Sequence, residues 1–266
     1  MFDRFNRNIT YLRISVTDRC NLRCTYCMPA DGIQLLQKEN ILTLEEIAEV
    51  VKTGAELGIK KVRLTGGEPL VRKGIAELVA LIHQIDGIEE ITMTTNGILL
   101  SKYASQLKEA GLNRINISLD SVSPEKFMQI TRGGNLNHVF EGIQAAKAAG
   151  LVPIKINVVR LNSECDQDID TIKKFAAGEG LKVRFISQMD LKTGRFSQVE
   201  GGEGGNCTLC NRLRLTANGM IKPCLFSNRE YNIREFGIRE AFMLALNSKP
   251  KRGVINSQNS FYNIGG

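Results

Sequence analysis

The chain has 266 residues, with 35 lysines and arginines against 28 acidic residues, a formal charge of +7, 42% hydrophobic residues and seven cysteines. That length suits one large α/β unit with a small addition, and no run approaches the ~18 apolar residues of a membrane span. The first residues lack the pattern of a secretory leader, so the cytoplasm is the expected compartment. There, the cysteines read as metal ligands rather than disulfides. The basic balance alone suits a nucleic acid, a membrane surface or a small polyanion.

Residues 12–17 alternate strictly, with Leu12, Ile14 and Val16 apolar and Arg13, Ser15 and Thr17 polar, which predicts a strand. Directly after it, Cys20, Cys24 and Cys27 place three thiols within eight residues. Thiolates so close on one loop can share a metal centre. Four would close a zinc site or fully ligate a cubane cluster, whereas three leave one iron open to a small molecule. A zinc knuckle completed by a remote ligand is the competing reading.

Thr43 and Glu46 form a capping box that opens a helix to about Leu57, and Gly58 supplies its stop. A strand follows at 61–65. The unit recurs: Gly87, Gly111, Gly150 and Gly180 each end a helical pattern ahead of strands at 91–94, 115–118, 154–157 and 183–186. Six strands separated by helices predict a parallel sheet with right-handed crossovers, a (β/α)6 domain over residues 1–190. One face of these strands is apolar. The other carries Arg13, Lys61, Arg63, Thr92, Thr94, Asn116, Ser118, Lys155, Asn157 and Arg184. Five cations on an inward face with few matching carboxylates point to a missing anion, and a phosphate-bearing ligand is the simplest one. No Walker motif occurs to hold it. A solvated face is the alternative, which parallel topology disfavours.

Residues 65–70 end the second strand. Gly66 and Gly67 are read as allowing a ligand close to the backbone, and Glu68 as accepting from an ammonium group. Residues 94–97 and 118–120 are expected to ring the same mouth. Residues 191–206 are a glycine-rich joint, followed by a region at 207–266. In it, Cys207, Cys210 and Cys224 form a second trio, drawn together by a hairpin turning at Asn218-Gly219. A zinc finger with a distant ligand competes here too. Cys165 stands alone as a structural residue, and His83 and His138 read as packing or surface positions. Residues 249–252 read as a solvated turn and Gly265-Gly266 as a frayed end.

The first trio with Tyr26 resembles the signature of the radical S-adenosylmethionine superfamily. Residues 12–21, the second trio with Arg212 and Arg214, and the final Gly-Gly resemble the GTP 3′,8-cyclase family of molybdenum cofactor biosynthesis, over nearly the whole chain. The resemblance implies an α/β fold: a partial (β/α)6 TIM-like barrel with a small C-terminal iron–sulfur-binding appendage. It implies two [4Fe-4S] clusters, on Cys20, Cys24 and Cys27 and on Cys207, Cys210 and Cys224. S-adenosyl-L-methionine would lie at Tyr26, Gly66, Gly67, Glu68, Ser118 and Met189. GTP would lie at Arg13, Lys61, Arg63, Thr94, Lys155, Arg184, Arg212 and Arg214, the last two being counted as catalytic with the first trio. An adenosyl radical would take hydrogen from ribose C3′, and C3′ would then attack guanine C8. A flavodoxin or ferredoxin would supply electrons and cyclic pyranopterin monophosphate synthase would take the product. A homodimer is left open, and the Gly-Gly tail would enter the site.

Members of that family usually carry several tens more residues between the Met189 region and the second trio. Here there are 17, rich in glycine, which leaves less strand material to support the second cluster. The alternatives are a radical enzyme acting on a peptide or another nucleotide, a shortened paralogue of low activity, and a zinc-bearing nucleic-acid module. Inward-facing cations count against the last, because nucleic-acid footprints lie on exterior surfaces.

Overall fold

The computed structural model describes residues 1–160, 166–258 and 261–264. Its strands are β1 (Tyr11–Ser15), β2 (Lys61–Thr65), β3 (Glu90–Thr95), β4 (Arg114–Ser118), β5 (Lys155–Arg160), β6 (Lys182–Ser187), β7 (Arg212–Leu215), β8 (Met220–Lys222) and β9 (Tyr231–Asn232). Its helices are α1 (Leu44–Glu56), α2 (Ile75–His83), α3 (Leu100–Glu109), α4 (Pro124–Thr131), α5 (Leu136–Ala148), α6 (Asp166–Gly178), α7 (Ile233–Phe236), α8 (Ile238–Asn247) and α9 (Phe261–Ile264).

The local signals explain the repeating unit. Thr43 Oγ1 accepts from the Glu46 amide at 3.1 Å, and Glu46 Oε2 accepts from the Thr43 amide at 2.8 Å, closing the capping box on α1. Gly58, at φ +103°, then turns the chain into β2. The apolar strand face, including Leu12, Ile14, Val62, Leu64, Ile91, Met93, Ile115 and Ile117, is buried with Ile47, Val50, Leu78, Leu107 and Ile143 of the helices. Each such side chain stabilises by about 1.5–3 kcal/mol.

The sheet runs β6-β5-β4-β3-β2-β1-β7-β8-β9. Strands β1 to β6 are parallel, as expected from the sequence. β7 adds parallel on the free side of β1, and β8 and β9 add antiparallel. The C-terminal strands therefore continue the same sheet. The predicted hairpin joins β7 to β8, with Gly219 at φ +86°.

The sheet does not close. Arg184 of β6 and Arg212 of β7 nevertheless line one cavity, with five strands between them, which requires a strong curl. The glycine-rich segment spans the gap: Glu200 bridges Phe185 on β6, and Asn211 accepts from the Thr10 and Tyr11 amides beside β1. Among the described residues no helix is long and apolar enough to cross a membrane.

Candidate active site

Strand register sets the inward-facing side chains in rows. Arg214, Arg13, Arg63 and Thr92 are successive partners on β7, β1, β2 and β3, on strands ~4.8 Å apart. Like charges facing across strands repel, so this row favours an anion. Arg63 rests on neutral acceptors: its Nε donates to Thr92 Oγ1 at 3.0 Å, and the Asn116 amide, oxygen turned inward, accepts from Nη1 at 2.8 Å. The neighbouring row is Arg212, Tyr11, Lys61 and Glu90. Glu90 pairs with both Lys61 and Arg114. Lys61 is thus not the unmatched cation that alternation predicted, because the acid that balances it opens the next strand.

A cavity of about 810 Å³ lies over these rows, within the range of small-molecule sites. Arg13, Lys61, Arg63, Thr94, Ser118, Lys155 and Arg184 line it, with Tyr26, Gly66, Gly67, Glu68 and Met189. Cys20, Cys24 and Cys27 line it at one end, and Cys207, Cys210 and Cys224, with Arg212 and Arg214, at the other. Both trios open onto one space.

The first trio sits in a loop whose turn is fixed by the Cys27 and Met28 amides donating to the Cys24 carbonyl. Burial pushes Cys20 up to about 11, and Cys24 and Cys27 to about 12, with Asp120 adding to the rise at Cys24. Tyr26 donates to Asp120 Oδ2 at 2.6 Å, and the Val159 amide donates to Oδ1 at 2.7 Å. Burial raises Asp120 to about 6.

The 65–70 turn also has a packing role. A Cβ on Gly67 would lie 2.3 Å from the Arg19 carbonyl oxygen, and one on Gly66 2.7 Å from that of Thr17. These glycines make room for the chain leading to Cys20, and both line the cavity. Glu68 is 1% exposed and accepts from Leu70 N, Thr95 Oγ1 and Asn96 N. Its carboxylate braces two loops, and the residue lines the cavity as well.

The second trio is framed by cations. Arg7, paired with Asp3 at 2.7 Å, donates to the carbonyls of Cys207, Pro250 and Lys251. Lys249 is 1% exposed, so the expected solvated turn is instead buried at its first residue. Burial pushes the Cys210 thiol up, but Lys249, Arg212 and hydrogen bonds from Arg212 outweigh it and bring the thiol down to about 7. Burial leaves Cys224 raised. Arg214, brought down to about 10 by burial and Arg212, donates to the Ile264 carbonyl at 3.4 Å. That contact holds the end of α9 beside the cavity, which Phe261 lines. Cys165 and Gly265-Gly266 lie outside the described residues.

All six thiols are free. Among the described residues no three histidine, cysteine or carboxylate side chains converge on a single metal ion. Three thiol donors in each trio, lining the shared cavity, suit a polynuclear cluster that keeps one iron open.

Sequence reading missed several lining residues. Tyr11 and Arg114 share the face of Arg13 and Asn116, so alternation carried one residue pair further would have found them. The Tyr11 hydroxyl is buried without a partner among the described residues, and its ring lies under Lys61 at 5.5 Å and Arg63 at 5.6 Å. Nothing in the sequence marked Lys249.

A curled, mostly parallel sheet with thiol trios at both ends of a cationic cavity defines a cluster-dependent enzyme barrel. The model of the Radical SAM superfamily matches residues 14–176. The GTP 3′,8-cyclase of Alkaliphilus oremlandii is 42% identical over 300 residues, covering 95% of this chain and 94% of that protein. That of Peptoclostridium acidaminophilum is 40% identical over 319 residues, covering 100% and 98%. The chain belongs to the radical S-adenosylmethionine superfamily and, within it, to the GTP 3′,8-cyclase family. An alignment of 319 positions with a 266-residue chain leaves several tens of the relative's residues without a counterpart, in keeping with the short segment before Cys207. Among solved structures, anSMEcpe with bound AdoMet matches with a TM-score of 0.67 at 16% identity, over 92% of this chain and 82% of that one. Methylornithine synthase matches at 0.59 and 16%, over 97% and 75%. These two likenesses speak for the fold alone.

Proposed function

We propose that the chain converts GTP to 3′,8-cyclo-7,8-dihydro-GTP, the first step of molybdenum cofactor biosynthesis. One observation carries this reading: a single cavity joins both thiol trios across a row of guanidinium groups, Arg214, Arg13 and Arg63. Cys20, Cys24 and Cys27 would hold one [4Fe-4S] cluster, and Cys207, Cys210 and Cys224 the other. Tyr26, Gly66, Gly67, Glu68, Ser118 and Met189 would enclose S-adenosylmethionine. Bound there, the first cluster and S-adenosylmethionine supply a hydrogen-abstracting adenosyl radical.

The chain's own part is to bind, orient and exclude water. Arg13, Arg63, Lys155 and Arg184, with Lys61 beside its acid, would hold the triphosphate, guanidinium forks matching phosphate oxygens. Thr94 Oγ1, buried without a partner among the described residues, is available to the nucleotide. Arg212 and Arg214 would fix the guanine end beside the second trio. Residues 196–206 cover the open side of the curl and keep solvent from the reacting atoms.

In domain terms, residues 1–190 would form the radical domain, 191–206 the joint and 207–266 the second-cluster region. A cytoplasmic flavodoxin or ferredoxin as reductant, cyclic pyranopterin monophosphate synthase as the next enzyme, and a homodimer complete the proposal. The test is anaerobic reconstitution with S-adenosylmethionine and reductant. 5′-Deoxyadenosine should rise on adding GTP, together with the cyclised nucleotide. Formation indifferent to GTP would sink the reading in favour of a peptide or another nucleotide.

A further inference from the structure

The buried cations near the second trio include Arg7, Lys222 and Lys249, and the partners of these three differ. Arg7 is paired with Asp3. Lys222, 0% exposed, is paired with Glu230 at 2.8 Å. Lys249, 1% exposed, has carbonyls instead: its Nζ donates to Arg212 O at 2.6 Å and to Pro223 O at 2.7 Å. No carboxylate faces it among the described residues; the groups that act on its charge are Cys210, Cys224, Arg7 and Arg212. A buried ammonium without an anion is strongly disfavoured. The two neighbours able to become negative are both cysteines of the trio.

The two carbonyls also have meaning in the chain. Arg212 comes two residues after Cys210, and Pro223 immediately precedes Cys224. One ammonium thus ties together the separate segments that present these thiols, while Arg7 holds the Cys207 carbonyl at 2.7 Å. Asp3 cancels the charge of Arg7. The charge of Lys249 is left for whatever the thiolates hold. An iron–sulfur group on three thiolates is anionic and becomes more so with each electron it takes up, so a fixed cation beside it favours the reduced state.

We propose that Lys249 is the built-in counter-charge of the second iron–sulfur cluster: a positioning residue that sets the Cys210 and Cys224 segments and raises the cluster's reduction potential. This rests on the assignment of that cluster to Cys207, Cys210 and Cys224.

The test uses the full chain with Cys20, Cys24 and Cys27 replaced by alanine, so that one cluster remains. Iron and sulfide content and the midpoint potential from an EPR-monitored titration are measured for Lys249 and for Lys249→Arg, Lys249→Met and Lys249→Gln. Arginine should keep the potential within a twofold change in the reduction equilibrium. The neutral variants should shift it about tenfold toward the oxidised form, ~59 mV for one electron. If the neutral variants lose iron that arginine retains, the need for the charge is shown equally. Equal potentials throughout, or arginine failing as methionine and glutamine do, would overturn the proposal. Absence of iron from the Lys249 parent itself would remove the cluster assignment, and the inference with it.

Discussion

The two ends of the cavity use the same donor atoms in opposite electrostatic settings. Around the first trio burial, reinforced by Asp120, Glu68 and the thiols themselves, pushes all three cysteines up to about 11 or 12. Around the second, Lys249 and Arg212 bring Cys210 down to about 7 against the effect of burial, while burial leaves Cys224 raised despite Lys249 and Arg214. The difference teaches how one space can sort two small molecules. S-adenosylmethionine brings a sulfonium and an ammonium, which suit an end poor in cations. GTP brings a polyphosphate, which suits the arginine rows. With the ligands placed as proposed, the difference in cation density would keep each from the other's place.

The sharpest way to break this comparison is to remove one thiol at each end. Cys24→Ala should lower 5′-deoxyadenosine formation at least ~1,000-fold, to background. Cys210→Ala should leave that cleavage within about tenfold while the cyclised product disappears. Identical losses would show that the two ends do not divide the work. Next in size, Arg63→Met should weaken GTP binding about 10- to 100-fold, the worth of a charge-assisted hydrogen bond, and leave S-adenosylmethionine affinity within about twofold. Calorimetric titration of both ligands decides it, and equal weakening would end the sorting argument.

Thiol chemistry sharpens the contrast further. In metal-free protein at about pH 7.5, alkylation followed by peptide mass spectrometry should find Cys210 reacting about tenfold or more ahead of Cys20, Cys24 and Cys27. A several-fold effect is expected from pH. Burial, then Arg184 and Arg114, bring Lys155 down to about 8, so its ammonium is present below that pH and lost above it. GTP affinity should therefore fall between about pH 7 and 9, and Lys155→Met should flatten that slope. The smallest effect belongs to neither end. Thr43→Ala should cost about 1 kcal/mol and lower Tm by about 2–4 °C, with both ligands bound as before.

The repeating unit was legible because each of its parts is local: a capping box at Thr43, glycine stops such as Gly58, and strands whose parity separates Leu12 from Arg13. The thiol trios were legible for the same reason, through spacing. What escaped were relations between distant segments. Glu90 neutralises Lys61 from the next strand. Gly67 packs against the Arg19 carbonyl as well as lining the cavity. Lys249 looks like part of a basic surface run until β7 and Pro223 surround it. The pairing of β7 with β1 left no trace in periodicity, since register between strands 200 residues apart is set by the whole curl.

That pairing has a consequence for synthesis. β1 leaves the ribosome roughly 200 residues ahead of its neighbour β7, so the backbone groups on one of its sides stay unpaired until residues 212–215 follow. The nascent chain thus carries an open central edge over that interval, an invitation to mispairing. Iron loading at the later trio has to await the emergence of Cys224.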